Sequence, residues 1–154
     1  MSTAIKGNAT EAAVLKAFAE RGLSVLVPFG DGAPFDLAVH LGGGDFLRVQ
    51  CKTGRSLNGC VVFNGRSTDH GRGRLSYAGL ADVFGVYFPL DDKVYVVPVA
   101  SGFAPRLRLA PPRNNQRRGV RFAVDYELGN WNDEALRALV MRRRVEEERT
   151  LSIA

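Results

Sequence analysis

An aspartate, a glutamine and a lysine in the stretch PFDLAVHLGGGDFLRVQCKTGR, residues 34–55, are of types that could do chemistry together. Asp36 and Gln50 each offer a side-chain oxygen, the donor that a hard divalent cation such as Mg²⁺ prefers. Such an ion keeps several waters and takes substrate phosphate oxygens as well. Lys52, two residues beyond Gln50, could position or deprotonate a water, or offset the charge that builds on phosphorus. Glu11 precedes Val14, Leu15 and Phe18 by three, four and seven residues, so a helix would turn it to the same inward face. Together these parts suit metal-assisted hydrolysis of a phosphodiester. Each residue also has a plainer reading. Glu11 could close a capping box with Asn8, Asp36 could end a turn after Pro34 and Phe35, and Gln50 and Lys52 could be the polar half of a half-exposed strand.

The intervening pattern predicts the geometry. Side chains alternate faces along a strand. In 35–41 the odd positions Leu37, Val39 and Leu41 are apolar, and in 46–52 so are Leu47, Val49 and Cys51. The two apolar sets share a face only if paired residue numbers sum to an even number. That predicts an odd loop, and three residues centred on Gly43 or Gly44 fit. Pairing 41 with 45 sets Asp36 opposite Gln50, and pairing 42 with 46 sets it opposite Lys52. In either register the three polar residues share one face at the end far from the turn. His40 shares that face but lies four residues, about 13 Å, along the strand from Asp36. It reads as a solvated histidine near the turn.

The elements that must position these residues follow from periodicity and punctuation. NATEAAVLKAFAERG, residues 8–22, predicts a helix with Asn8 as N-cap and Gly22 as its stop. Strands are predicted over 24–29, 35–41, 46–52, 59–63, 83–88 and 93–99. The run VFGVYF at 83–88 is apolar enough for a strand covered on both faces. Residues 65–77 read as a flexible basic loop, and 100–121 as an irregular segment holding one strand. A second helix is predicted over 132–148. Tyr77 and Asp82, just before the 83–88 strand, read as structural. The chain of 154 residues fits one domain, 1–154, α/β in class with a mixed sheet under helical cover.

Charge narrows the partner. The net charge is +5 with a pI near 9.6, and 17 of the 21 basic residues are arginine. Arginine forks suit phosphate oxygens, so a polyanion is expected, nucleic acid ahead of membrane. No apolar run approaches the roughly 20 residues that span a bilayer, and the N-terminus lacks a signal-peptide core. Cys51 and Cys60 make no disulfide framework, so a reducing, cytoplasmic setting is expected.

Taken in order, Glu11 in the first helix, Pro34-Phe35-Asp36 opening a strand and Gln50-Cys51-Lys52 on the next resemble the PD-(D/E)xK nuclease superfamily. More narrowly, KGNATEAAVLKAFAERGLSVLVPFGDGAPFDLAV and RVQCKTG resemble small group I intron-associated homing endonucleases, which carry glutamine where most members have glutamate. The likeness covers roughly residues 6–99. It implies a restriction-endonuclease-like mixed β-sheet flanked by helices and cleavage of double-stranded DNA with Mg²⁺, or Mn²⁺ in its place. In that reading Asp36, Gln50 and the backbone carbonyl of Cys51 bind the metal. Lys52 helps activate the attacking water, and Glu11 orients metal-bound water or a second ion. A single short domain cutting both strands implies a homo-oligomer, a dimer or tetramer. Lys6, Arg55, Arg66, Arg72 and Arg74 are the expected nucleic-acid contacts. The rivals are a Holliday-junction-resolvase-like nuclease, a non-catalytic DNA-binding protein on the same scaffold and a basic module with no nucleic-acid role.

Overall fold

Ser2, not Asn8, starts the first helix. The computed structural model describes residues 1–69, 73–99 and 104–154, with 67–69 and 73–76 described by their backbone alone. In it α1 runs Thr3–Glu20, and the Ser2 side chain accepts from the Ile5 N–H at 3.4 Å. Asn8 therefore lies inside the helix. Glu11 stands mid-helix, where backbone N–H groups already have partners, and the capping-box reading of it falls. Gly22 follows the C-cap Arg21 as expected.

The strands are β1 (Ser24–Leu26), β2 (Leu37–Gly42), β3 (Asp45–Thr53), β4 (Arg55–Leu57), β5 (Cys60–Val62), β6 (Arg66–Asp69), β7 (Gly73–Ser76), β8 (Val83–Phe88), β9 (Lys93–Pro98) and β10 (Arg106–Arg108). A short helix α2 (Ala123–Tyr126), a 3₁₀ turn (Leu128–Asn130) and α3 (Asp133–Ile153) follow. The main sheet has the order β1-β2-β3-β8-β9, with β3 and β8 parallel and the other pairs antiparallel. A second sheet has the order β10-β5-β4, and β6 pairs with β7. The predicted first strand thus ends at Leu26, short of Phe29. Within 65–77, where a basic loop is predicted, β6 and β7 pair antiparallel, and α2 has no periodic signal to announce its four residues.

The β2–β3 register keeps the even pairing: Leu37 with Val49, Ala38 with Arg48, Val39 with Leu47, His40 with Phe46. It then slips, so that Gly42 faces Asp45. The expected three-residue loop is instead a bulge at Leu41 plus the two-residue turn Gly43-Gly44. Both glycines have positive φ, +61° and +82°, as a tight turn matching strand twist requires. His40 stacks on Phe46, with ring centroids 4.9 Å apart.

Alternation sorts the core into two layers. On one face Leu37, Val39, Leu41, Leu47, Val49 and Cys51 meet Val14 and Phe18 of α1 and Leu136, Leu139 and Val140 of α3. On the other, Phe84, Val86, Phe88, Tyr95 and Val97 meet Val61 and Leu107 of the small sheet, with Phe63 and Tyr77. Asp82 is structural as expected. Its carboxylate accepts from the Arg48 N–H (2.8 Å) and from Arg143 Nε (2.7 Å), tying β3 to α3.

Close approach of α1 to β8 depends on Gly85. A Cβ there would lie 2.7 Å from Val14 Cγ1 and 2.9 Å from Val49 Cγ1. Gly85→Ala is therefore expected to push α1 outward and cost about 1–3 kcal/mol, the usual cost of overpacking. Urea unfolding checks this, and an unchanged midpoint would refute the tight helix–sheet contact.

Candidate active site

Two strands part where the polar residues gather. β2 begins at Leu37, although the Asp36 N–H before it still donates to the Val49 carbonyl at 2.9 Å. β3 runs on beside β8, Val49 against Val83 through Thr53 against Tyr87. Past the end of β2, the Cys51 N–H has no strand partner on that side and donates instead to Asp36 Oδ2 at 2.7 Å. The N–H and C=O of one strand residue point to the same edge. The Cys51 carbonyl therefore faces the fork as well.

Gln50 and Lys52 project from the face opposite α1. Gln50 Nε2 donates to the same Asp36 Oδ2 at 2.6 Å. Lys52 Nζ donates to the Tyr77 hydroxyl at 3.0 Å and lies 4.5 Å from the centre of its ring. Tyr77 is buried and set edge-on to Phe84, so the lysine's resting place is a fixed one. Glu11 approaches from the α1 side. The hydroxyls of its neighbour Thr10 and of Thr53 are 2.6 Å apart, which clamps α1 to the end of β3. The structure thus brings Asp36, Gln50 and Cys51 into direct contact, sets Lys52 beside them and faces Glu11 toward them. Tyr77 is the residue that sequence reasoning set aside. It lies 25 positions from Lys52 with the strand pairs β4–β5 and β6–β7 between, and no spacing rule links them.

The electrostatics agree with this picture. Burial raises the Asp36 carboxyl above its ordinary pKa, against the Cys51 N–H and the Lys52 charge, which lower it. Burial and then the nearby Asp36 charge raise Glu11. Burial, with both carboxylates in support, pushes the Cys51 thiol up, so its sulfur is no nucleophile at neutral pH. Two half-buried carboxylates that repel each other, with a backbone carbonyl aimed at the same fork, form an oxygen donor set that fits a hard cation. Among the described residues no three His, Cys, Asp or Glu side chains converge as a metal cluster. A cation here would lean on Asp36, Glu11 and the Cys51 carbonyl, with the Gln50 amide oxygen available only if the amide turns over.

The expected nucleic-acid residues are spread out. Lys6 is exposed on α1, Arg55 on β4 and Arg66 on β6. Arg74 lies on β7, and Arg72 is outside the described residues. No helix among the described residues is long and apolar enough to cross a membrane.

The PD-(D/E)XK endonuclease profile matches residues 1–129. A comparison with curated proteins gives no match. Among solved structures, a bacterial homing endonuclease, I-Ssp6803I, superposes with a TM-score of 0.65 at 24% identity, over 96% of this chain and 99% of that one. That likeness carries the fold: a five-stranded mixed sheet flanked by helices, as the sequence predicts. The profile spans most of the sequence and the fold agrees with it: the chain belongs to the PD-(D/E)XK endonuclease family.

Proposed function

We propose that this protein is a divalent-metal-dependent endonuclease that cuts double-stranded DNA, of the homing type, working in the cytoplasm as a homo-oligomer, with residues 1–154 forming a single domain. The observation that carries the reading is the fork itself, where Asp36, the Cys51 backbone and Lys52 meet with Glu11 opposite. Asp36, Glu11, the Cys51 carbonyl and Gln50 would hold Mg²⁺, or Mn²⁺ in its place. When bound, the ion supplies Lewis-acid charge compensation at the scissile phosphate. Lys52, held by Tyr77, adds a fixed positive charge beside that phosphate and orients the attacking water. Homing-type cleavage is proposed by analogy with the superposed bacterial enzyme.

The 2.6 Å bond from Gln50 to Asp36 favours a second reading, a DNA-binding relative without catalysis, since the amide there spends its donor on the carboxylate. A cleavage assay on supercoiled, linear and four-way-junction DNA separates the readings. Cutting is expected with Mg²⁺ or Mn²⁺, none in EDTA, and a loss on the order of 10²-fold in Lys52→Ala with DNA binding retained. Binding with no metal-dependent cutting on any substrate would leave the non-catalytic reading standing. Cutting confined to junctions would replace homing with resolution.

A further inference from the structure

Positive charge is not spread evenly over this chain. Residues 53–66 and 104–124 hold eight arginines (Arg55, Arg66, Arg106, Arg108, Arg113, Arg117, Arg118 and Arg121) and neither aspartate nor glutamate. The whole chain has 21 basic and 16 acidic residues, so the rest carries 13 basic against 16 acidic. The net charge of +5 thus arises entirely from these two segments.

The fold joins them. They form β4, β5 and β10 of the small sheet. Arg55 and Arg106 both pair with Val62, one from each side, so they stand in one row across the sheet. Two strand spacings separate them, about 10 Å. Val61 and Leu107 face the core, so alternation turns Arg55, Arg106 and Arg108 to the outer face. Arg106 and Arg108 are two residues apart, about 7 Å along the strand.

The chain beyond β10 leaves beside the β4–β5 turn, where the Leu109 N–H donates to the Gly59 carbonyl at 2.9 Å. It returns along the free edge of β10, with the Arg108 N–H on the Arg121 carbonyl at 2.7 Å. Between them the exposed turn 113–118 is braced by its own amides. Asn114 Oδ1 accepts from the Gln116 N–H (3.2 Å), and Gln116 Nε2 donates to the Arg118 carbonyl (3.2 Å). This leaves Arg113, Arg117 and Arg118 as the outward, charged groups of an ordered turn. At the other end of the sheet Arg55 is three residues from Lys52, at most about 10 Å of chain.

We propose that the outer face of the small sheet tracks the phosphate backbone of duplex DNA. Arg55 and Arg106 contact phosphates next to the fork, and the 113–118 turn contacts phosphates farther along. This rests on the nuclease reading above and names the surface through which it holds its substrate. The occupant is a phosphodiester backbone because the face offers guanidinium forks with no acidic residue among them. Such forks match phosphate oxygens in geometry as well as charge.

The test is DNA affinity in EDTA against salt concentration, with folding followed by thermal melting. Four proteins are compared: the parent, Arg55→Gln/Arg106→Gln, Arg117→Gln/Arg118→Gln, and a control with Arg142→Gln/Arg149→Gln on exposed positions of α3. Each phosphate contact contributes about 0.9 to the slope of log affinity on log salt. Each small-sheet pair is expected to lower the slope by about 2 and weaken binding roughly tenfold or more. The α3 pair removes the same charge and is expected to change the slope little. Equal losses in all three variants, or an unchanged slope in the small-sheet pairs, overturns the proposal. If the parent binds and cuts DNA yet the slopes do not differ, this surface alone fails. If the parent neither binds nor cuts, the nuclease reading fails and this proposal with it.

Discussion

Asp36→Asn is expected to lower DNA cleavage by roughly 10³-fold or more, the scale of losing a charge placed on the transition state, while the protein itself becomes harder to melt. The substitution keeps the shape of the side chain and its capacity to accept from the Cys51 N–H. It removes only the negative charge, which a divalent cation needs and which the fold tolerates poorly. The sign follows from burial. Asp36 has a folded pKa above its ordinary 3.8 because burial disfavours the ion. Glu11 is raised in the same way, and repulsion from Asp36 adds to it. Between the ordinary and the raised pKa, the folded chain holds a proton that the unfolded chain has lost. Stability therefore falls as pH rises through that window. At neutral pH the cost is fully present, and Asn at position 36 removes the Asp36 share and relieves Glu11. Thermal melting in EDTA at pH 7 and pH 4 checks this. The variant's gain is expected to shrink at the lower pH. A variant that melts lower than its parent at pH 7, or that still cuts, would show that the carboxylate is there for the fold. The expected pairing of gained stability with lost activity is the trade-off of a site kept strained for function.

How much of this was legible in the sequence varies residue by residue. The β2–β3 hairpin was legible because period-two alternation admits only an even pairing, and one apolar face forces it. That alone set Asp36 near Gln50. The slip at Leu41 was not legible, because a bulge and a three-residue loop satisfy the same alternation. Glu11 was legible as a helix-face residue but not as a neighbour of Asp36. Its distance from the sheet is set by Gly85, over 70 positions away, which lets α1 sit close. The N-cap was misplaced because both Ser2 and Asn8 are good cap types. Local cap preference alone does not choose between them. Of the small sheet, the sequence predicts β5 and one strand within 100–121, but neither β4 nor the pairing that joins the three. Its segments are short, rich in Gly, Pro and Arg, and pair across more than 40 residues of chain, so no local period reveals that pairing. Charge was the one signal that did survive, since counting acids needs no structure.

The Gln50 amide is where sequence reasoning stopped short, and Gln50→Glu is expected to move metal dependence more than any other single change at the fork. In the folded chain Gln50 acts as a donor: Nε2 reaches Asp36 Oδ2 at 2.6 Å. Without a cation this bond is favourable, since it partners a buried carboxylate oxygen with an N–H. A glutamate in the same place has no hydrogen to donate at neutral pH. It would add a third carboxylate to Glu11 and Asp36, so the metal-free protein is expected to melt lower. The same repulsion reverses once a divalent cation is present, because a third anionic ligand then replaces a neutral amide. The variant should reach half-maximal cleavage at about tenfold lower Mg²⁺, the change that roughly 1.4 kcal/mol of added metal affinity would produce. Addition of Mg²⁺ should also raise its melting temperature more than it raises that of the parent, by linkage. Melting in EDTA and in Mg²⁺, with cleavage titrated against Mg²⁺, measures all three effects. If the half-maximal Mg²⁺ concentration does not move, position 50 lies outside the coordination sphere. Gln50 would then serve to hold Asp36 in place while Asp36, Glu11 and the Cys51 carbonyl take the ion. A fall in the requirement would place position 50 among the ligands. It would also mean that the natural amide trades metal affinity for a metal-free fork in which one of two half-buried carboxylates is already partnered.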